Sequence, residues 1–372
     1  MPRRGVELLT EDIKPYFKRS IYAVRPVKGK VVFAFTRNEQ IVYEVKGDFQ
    51  RELILLLDGV NSIREIFAQL RKKNLVCSIT EVFREVETLY NLYLLELGDD
   101  RWLEHRFSRQ ELFWALHRKE GNAFAERAEG ILKSSKITLL GLGGLGSHIL
   151  CNLAYVGLGK IKCVDFDRVK ISNLNRQILY REKDVGSLKT EAAEKNIRET
   201  NSCTEYEFIN RKITAEKDIV DVLGDSDLVL LAADSPREKI FAWMNAAAFK
   251  TGVPVLFSLG FSSRFIRLGP LVVPNRTVCF QCSMPDMGRD GDDPVVSFIN
   301  QRHRHGSVAP YLSIVAGMMV LEALKHLTGY VDCRLYNRRI HFDVTNYTCV
   351  TESIVPRKGC CFCGGVQVGG DS

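Results

Sequence analysis

The sequence predicts an α/β chain in two domains, a small winged-helix-like α+β module over residues 1–100 and a larger α/β domain over residues 101–372. Three observations predict it. Short β-branched runs followed by amphipathic segments fill the first hundred residues, an apolar strand later enters a glycine-rich turn, and two Cys-x-x-Cys pairs lie in the second half. A chain of 372 residues holds two or three domains and buries a sizeable core. Lys plus Arg number 52 against 45 Asp plus Glu, a net charge of +7, with 45% hydrophobic and 26% charged residues. That composition excludes a disordered chain and argues against a protein that coats a polyanion. No uninterrupted apolar run approaches the roughly 18 residues of a membrane helix, and MPRRGVELLTEDIKPYF has no apolar signal core, so a cytoplasmic location without a membrane partner is expected. Eleven cysteines in such a chain argue against a disulfide framework and for metal ligands or buried small side chains.

In the first domain, SIYAVRPVKGKVVFAFTRNEQIVYEVKGDF reads as two or three antiparallel strands broken by Lys28-Gly29-Lys30 and Arg37-Asn38-Glu39. Arg51 to Asp58 reads as a short apolar helix closed by Gly59. Ser62 precedes a segment with Ile63, Ile66, Phe67 and Leu70 at helical spacing, and Thr80 opens another with Val82, Val86, Leu89 and Leu92. A small sheet with a helix-turn-helix pair serves packing, dimerisation or DNA reading. Only Arg71-Lys72-Lys73 is a dense basic cluster, which argues against nucleic acid. The strands, the Leu-Leu-Leu-Asp-Gly turn and the Ile-Arg-Glu-Ile helix resemble the PqqD-like leader-recognition domains of peptide-modifying enzymes. That resemblance implies an extended leader peptide bound along a sheet edge.

Arg118 to Glu129 reads as a linker helix or loop, after which KITLLGLGGLGSHILCNLAYVGLGKIKCVDFD begins. A strand from Ile137 to Leu140 feeds Gly141, Gly143, Gly144 and Gly146, a helix follows, and a second strand from Ile161 to Val164 ends at Asp165. Glycines permit a tight turn and close approach of phosphate to free amides at the helix start, while an acidic residue roughly 20 positions on can take a ribose hydroxyl. This unit alone suits an NAD-dependent dehydrogenase as well as an ATP enzyme. Cations beside the phosphates separate the two, since hydride transfer has no need of them. Here Ser172-Asn173-Leu174-Asn175-Arg176-Gln177 follows the second strand, Lys189 opens the next helix after Gly186, and Asp234 ends the apolar strand DLVLLAAD.

With these elements the sequence resembles the ubiquitin-activating-like adenylating superfamily (ThiF, MoeB, HesA), over residues 106–363. Its pattern is GxGGxG, DxD, SNLxRQ, a glycine and lysine before a helix, and an Asp after the fourth strand. The resemblance implies that Asp165 binds ribose hydroxyls, Asn173 and Arg176 position the phosphates, Lys189 neutralises the α-phosphate side, and Asp234 holds Mg²⁺. It further implies that Arg109, in Arg106-Phe107-Ser108-Arg109-Gln110, reaches the γ-phosphate of a neighbouring subunit, which requires a homodimer. Arg106 and Lys170 read as solvated surface charge, and Asp167 as a turn or cap residue rather than a second ribose ligand.

Cys279, Cys282, Cys360 and Cys363 form two Cys-x-x-Cys pairs, and four thiolates suit a closed tetrahedral Zn²⁺ site with a structural role. Cys361 is the competing ligand beside Cys360. Cys77, Cys151, Cys163, Cys203, Cys333 and Cys349 read as buried small residues. Family members that form a thioester or persulfide keep a cysteine in the crossover segment, and Ser283 to Pro310 contains none. Arg302, His303, Arg304 and His305 in that segment read either as contacts to substrate carboxylate or phosphate or as solvated loop charge. Val308 to Tyr330, with Met318, Met319, Leu321 and Leu324, reads as an apolar helix for core or dimer packing.

A leader-recognition-like domain joined to an adenylating domain without the crossover cysteine resembles the peptide-modifying branch, the microcin-C-type (MccB-like) nucleotidyltransferases and the pantocin-maturing (PaaA-like) enzymes. The phrases FINQRHRHGSVAP and LGPLVVPNRTVCFQC carry that likeness. It implies ATP- and Mg²⁺-dependent adenylation of a carboxylate or amide on a ribosomal precursor peptide, in antibiotic biosynthesis. The outcome is then either nucleotide attachment or dehydration and cyclisation. The competing readings are a MoeB-like or ThiF-like activator of a Gly-Gly sulfur carrier, and a non-catalytic regulator with a degenerate nucleotide fold.

Overall fold

The computed structural model describes residues 9–19, 21–27, 30–34, 40–76, 78–98, 105–117, 121–236, 239–262, 264–284, 295, 298 and 306–364. The chain divides into two compact units, Met1–Glu129 and Gly130–Ser372, each with its own hydrophobic core.

In the first unit, β1 (Pro15–Phe17) is followed by an antiparallel sheet of β2 (Tyr22–Val27), β3 (Lys30–Ala34) and β4 (Gln40–Glu44). Three helices come next, α1 (Asp48–Leu56), α2 (Ile63–Lys72) and α3 (Ile79–Asn91), before β5 (Leu95–Leu97) returns antiparallel to β1. Helix α1 starts at Asp48 rather than Arg51, its acidic first turn meeting the positive end of the helix dipole. Ser62 caps α2, with Ile63, Ile66 and Leu70 buried against Val82, Val86 and Leu89 of α3. Ser78, not Thr80, caps α3, because only Ser78 has a glutamate three residues on: its N–H donates to Glu81 Oε2 at 3.4 Å. Helix α4 (Ser108–His117) and helix α5 (Asn122–Ser134) follow, so the segment expected as linker helix or loop is helical from Asn122 on. Trp114 is buried and donates through Nε1 to Glu129 Oε1 at 2.8 Å, satisfying both polar groups.

The second unit alternates strand and helix. Its elements are β6 (Lys136–Leu140), α6 (Gly144–Tyr155), β7 (Lys160–Asp165), α7 (Lys189–Thr200), β8 (Glu205–Asn210), α8 (Glu216–Leu223), β9 (Leu228–Leu231), α9 (Lys239–Thr251) and β10 (Val255–Ser262). They continue through β11 (Phe265–Val272), α10 (Phe280–Ser283), α11 (Ala309–Thr328), β12 (Arg338–Asp343) and β13 (Thr348–Ser353). The eight-stranded sheet has the order β13-β12-β11-β10-β9-β6-β7-β8. From β8 to β10 the strands are parallel, and β11 to β13 extend the sheet antiparallel. Central β9 is buried on both faces and reads LVLL, as a strand covered by helices on two sides must. Succession runs from β6 outward to β8 and resumes beyond β6 with β9. That reversal opens a crevice at the carboxyl ends of β6, β7 and β9, the place where Rossmann-like sheets take ligands. Strand β9 ends at Leu231, so Asp234 stands beyond the strand rather than at its last position.

Helix α11 buries Leu312, Val315, Met319 and Leu324 and packs chiefly on α6, whereas Leu321 is exposed. Among the described residues it is the one helix long and apolar enough to cross a membrane by length and composition, and half of its apolar window is buried in the fold. Cys163 and Cys333 are buried as expected and Cys151 is half-buried. Cys203 and Cys349 are exposed, against expectation, because Cys203 lies in a polar turn and Cys349 on the outermost strand. Cys77 lies outside the described residues, as do Arg302, His303, Arg304 and His305.

Candidate active site

The crevice is built by the glycine turn between β6 and α6, and each glycine has its own reason. Gly141 takes φ +100, and a Cβ there would stand 2.8 Å from Ala233 N, so the turn needs glycine for both conformation and space. A Cβ on Gly146 would stand 1.9 Å from Gly141 O, so α6 packs directly on the turn only without a side chain. Gly143, the N-cap of α6, has nothing within 4 Å and faces open space. At Gly144 a Cβ would meet Leu312 Cδ1 at 2.8 Å and would lie 3.8 Å from Arg176 Nε. Free amides and the positive end of α6 therefore face the crevice, an arrangement that receives phosphate.

Asp165, at the end of β7, is buried and holds the turn: its Oδ2 accepts Leu142 N at 2.6 Å and its Oδ1 accepts Asp167 N at 2.8 Å. From the other side Tyr180 OH donates to Leu142 O at 2.8 Å, and burial pushes that phenol's pKa upward. Leu142 is thus pinned at both backbone polar groups. A carboxylate has about four lone-pair sites, so Asp165 keeps capacity for two hydroxyl donors such as those of a ribose. Lys189, at the start of α7, is 5% exposed, and its Nζ lies 2.9 Å from Asp167 Oδ2 and 4.0 Å from Asp165 Oδ2. A buried ammonium held by two carboxylates is satisfied, so the pair fixes the cation at the crevice wall. Asp167, expected as a turn residue, is therefore the direct partner of Lys189. Its place in the DxD pattern was the available signal.

A cavity of about 180 Å³ lies in this crevice, and Gly141, Gly143, Asp165, Asp167, Lys189 and Asp234 line it. Arg211 also lines it, and nothing in the sequence reading singled it out. Gly144, Gly146, Asn173 and Arg176 are not among the lining residues. Asn173 is buried, and its Oδ1 accepts Lys170 N at 3.0 Å, which caps a short 3₁₀ turn over Ile171–Asn173. Arg176 lies beside the first turn of α6 and donates through Nη1 to Ser172 O at 2.7 Å and Asn175 Oδ1 at 2.9 Å. Arg109 is exposed in the first turn of α4 and belongs to the first unit.

Elsewhere in the second unit Cys279, Cys282, Cys360 and Cys363 converge, with their sulfurs all within 4.8 Å of one another. Cys279 Sγ is 3.6 Å from Cys360 Sγ, and Cys282 Sγ is 3.5 Å from Cys363 Sγ. Tetrahedral Zn²⁺ with Zn–S bonds near 2.3 Å places its sulfurs about 3.8 Å apart. Two of the sulfur pairs are thus close to that spacing, and all four sulfurs lie near enough to surround one ion. Cys361 points elsewhere, being exposed and outside the cluster.

A sequence profile described as the ThiF family matches residues 116–361. The chain belongs to the ThiF family. The sulfur carrier protein ThiS adenylyltransferase of Bacillus subtilis is 32% identical over 229 residues, which is 60% of this chain and 61% of that protein. The chain thus spans about three fifths of that relative's length. Among solved structures, Escherichia coli MccB in complex with MccA-N7isoASN matches with a TM-score of 0.75 at 22% identity, over 94% of this chain and 99% of that one. The same protein with ATP matches at 0.73 and 23% identity. PaaA matches with a TM-score of 0.71 at 24% identity, over 91% and 99% of the two chains. The second unit has the Rossmann-like α/β fold of these structures.

Proposed function

We propose that this chain is an ATP-dependent enzyme that adenylates a carboxylate or amide on a ribosomally made precursor peptide. The observation that carries the reading is the buried Lys189, clamped by Asp165 and Asp167 at a crevice that also presents the amino end of α6 and Asp234. A hydride-transfer site has no use for that cation. A nucleotide triphosphate does, because charge accumulates at the α-phosphorus and on the departing pyrophosphate. Asp165 would take the ribose hydroxyls, the amides of the glycine turn and Lys189 the phosphates, and Arg176 the outer phosphates beside α6. Asp234, a carboxylate at the cavity wall, suits a hard cation; Mg²⁺ held there would neutralise charge on the leaving pyrophosphate. A substrate oxygen attacks the α-phosphorus, the new O–P bond forms as the bond to the bridging oxygen of the β-phosphate breaks, and pyrophosphate departs. A second nucleophile of the peptide then attacks the activated carbonyl and releases AMP, or the nucleotide is retained.

The peptide substrate is supported by two features. The likeness to MccB and PaaA extends over more than nine tenths of this chain, and the segment from Ser283 to Pro310 has no cysteine for a thioester. In this reading the first unit holds the leader along a sheet edge. Arg109 serves the γ-phosphate of a neighbouring subunit in a homodimer, and the four cysteines hold a structural zinc. The sequence relationship to a ThiS adenylyltransferase favours a second reading, activation of a Gly-Gly carrier.

Intact-mass analysis decides between them. Candidate precursor peptides from open reading frames beside the gene are incubated with the protein, ATP and Mg²⁺. A mass gain equal to AMP, or successive losses of water or carbon dioxide, is the expected result. ATP turnover that needs a Gly-Gly carrier and leaves every peptide unchanged would overturn the peptide reading.

A further inference from the structure

His148 stands one helical turn after Gly144 on α6, so the two residues share a face. It is 2% exposed, and both ring nitrogens are engaged. Nε2 lies 2.9 Å from the Arg176 carbonyl oxygen, and Nδ1 lies 3.0 Å from Ser313 Oγ in the first turns of α11. A carbonyl oxygen only accepts, so Nε2 carries the proton and donates to Arg176. Burial lowers the pKa of the imidazole, which favours the neutral ring; its Nδ1 is then an acceptor for the Ser313 hydroxyl, whose one hydrogen is shared with Ala309 O at 3.1 Å.

The same face of α6 meets Arg176 again at its side chain, since a Cβ on Gly144 would lie 3.8 Å from Arg176 Nε. One helix face therefore holds both ends of this residue, the carbonyl through His148 and the guanidinium through the space left at Gly144. The guanidinium donates to Ser172 O and Asn175 Oδ1, and among the described residues no carboxylate neutralises it. Its charge is thus available to an anion at the amino end of α6. Leu312, beside Ser313, fills the remaining space at Gly144.

We propose that His148 is a positioning residue for Arg176: it fixes the Arg176 backbone so that the guanidinium stands by the first turn of α6, and through Ser313 it ties that placement to α11. The proposal rests on the nucleotide reading of the crevice. It gives His148 no contact with substrate and no proton to transfer. Its action on the nucleotide passes through Arg176 alone.

A double-mutant cycle on the full chain tests this, with the affinity for ATP and Mg²⁺ measured by titration calorimetry. His148→Phe keeps the ring volume and removes both hydrogen bonds, and it should weaken ATP binding by about tenfold. His148→Gln places an amide N–H near the position of Nε2 and should recover most of the loss. In an Arg176→Ala background His148→Phe should cost less than about twofold, because nothing remains to position. The same tenfold loss in that background, or equal losses for Gln and Phe, would overturn the proposal. Should His148→Phe fail to fold, Ser313→Ala carries the same comparison, with a loss in the wild-type background and none beside Arg176→Ala. A wild-type chain that binds no ATP would instead remove the nucleotide reading itself. ATP binding that is intact in the wild type and unaffected by Arg176→Ala would overturn only the role given to His148.

Discussion

Gly143 and Gly146 sit three residues apart in one turn and carry separable demands. Gly143 has open space around it on the crevice side, whereas a Cβ on Gly146 would collide with a backbone oxygen that cannot swing away. Gly146→Ala must therefore push α6 off the turn, and overpacking of this kind costs about 1–3 kcal/mol. The melting temperature should fall by several degrees and ATP binding should be lost with it. Gly143→Ala should leave the melting temperature unchanged and weaken ATP alone, because its methyl group projects into ligand space. Equal melting losses in the two variants, followed by calorimetry, would contradict this division. The glycines and Asp165 were legible because the chemistry of a phosphate site dictates their spacing along a strand-turn-helix unit, whereas Lys189 and Asp234 were read only from the resemblance to the adenylating superfamily. Tyr180 on Leu142 and His148 on Ser313 were not legible, since those pairs lie 38 and 165 positions apart and the fold alone brings them together; for Asp167 on Lys189, 22 positions apart, the DxD pattern was the one signal.

At the scale of elements, the helices of the first unit announced themselves through apolar spacing, but only α2 also through its cap, Ser62; α1 begins three residues before the expected Arg51, and Ser78 rather than Thr80 caps α3. Helix α2 begins with a reciprocal pair: Ser62 N donates to Glu65 Oε2 at 2.8 Å and Glu65 N donates to Ser62 Oγ at 3.3 Å. The hydrogen bond from the Ser62 backbone, and then that from its hydroxyl, holds the Glu65 carboxyl below its ordinary value. A carboxylate with a depressed native pKa stabilises the fold above the unfolded value, about 4.3, and that contribution is lost as pH falls through the native value. Glu65→Ala should therefore melt below the wild type at pH 7, and the gap should close as the pH is lowered past the ordinary glutamate range. Parallel melting curves at pH 7 and pH 3 measure it, and a gap independent of pH would mean that the carboxylate is not what caps the helix. Strands β11 to β13 were not legible as a sheet extension. The outermost, β13, is exposed along its whole length and shows none of the apolar alternation that marks a half-buried strand.

Across the whole second unit, the Cys-x-x-Cys spacing chose Cys360 over Cys361, while only the fold shows what the cluster fastens. Its thiols link positions 81 residues apart, joining α10 to the segment after β13. Around them lies a satellite core of Val278, Ile354 and partly buried Phe249 and Phe362, small beside the main core of the unit. So little apolar area secures a carboxyl-terminal segment weakly, and a cross-link that closes a loop of this length contributes on the order of 4 kcal/mol through loop entropy. The metal should therefore be the principal fastening of that end. Protein purified from metal-replete medium should contain about one zinc per chain, and a strong chelator should lower the melting temperature and expose the segment after β13 to protease. Cys363→Ser should do the same without a chelator, whereas Cys361→Ser should do neither. The cavity, formed on β6, β7 and β9, shares no lining residue with the cluster, so ATP affinity at low temperature should survive zinc removal. A chelated protein with unchanged melting and proteolysis would show that the four thiols hold this end by packing alone, and loss of ATP affinity on chelation would mean that the cluster shapes the crevice as well.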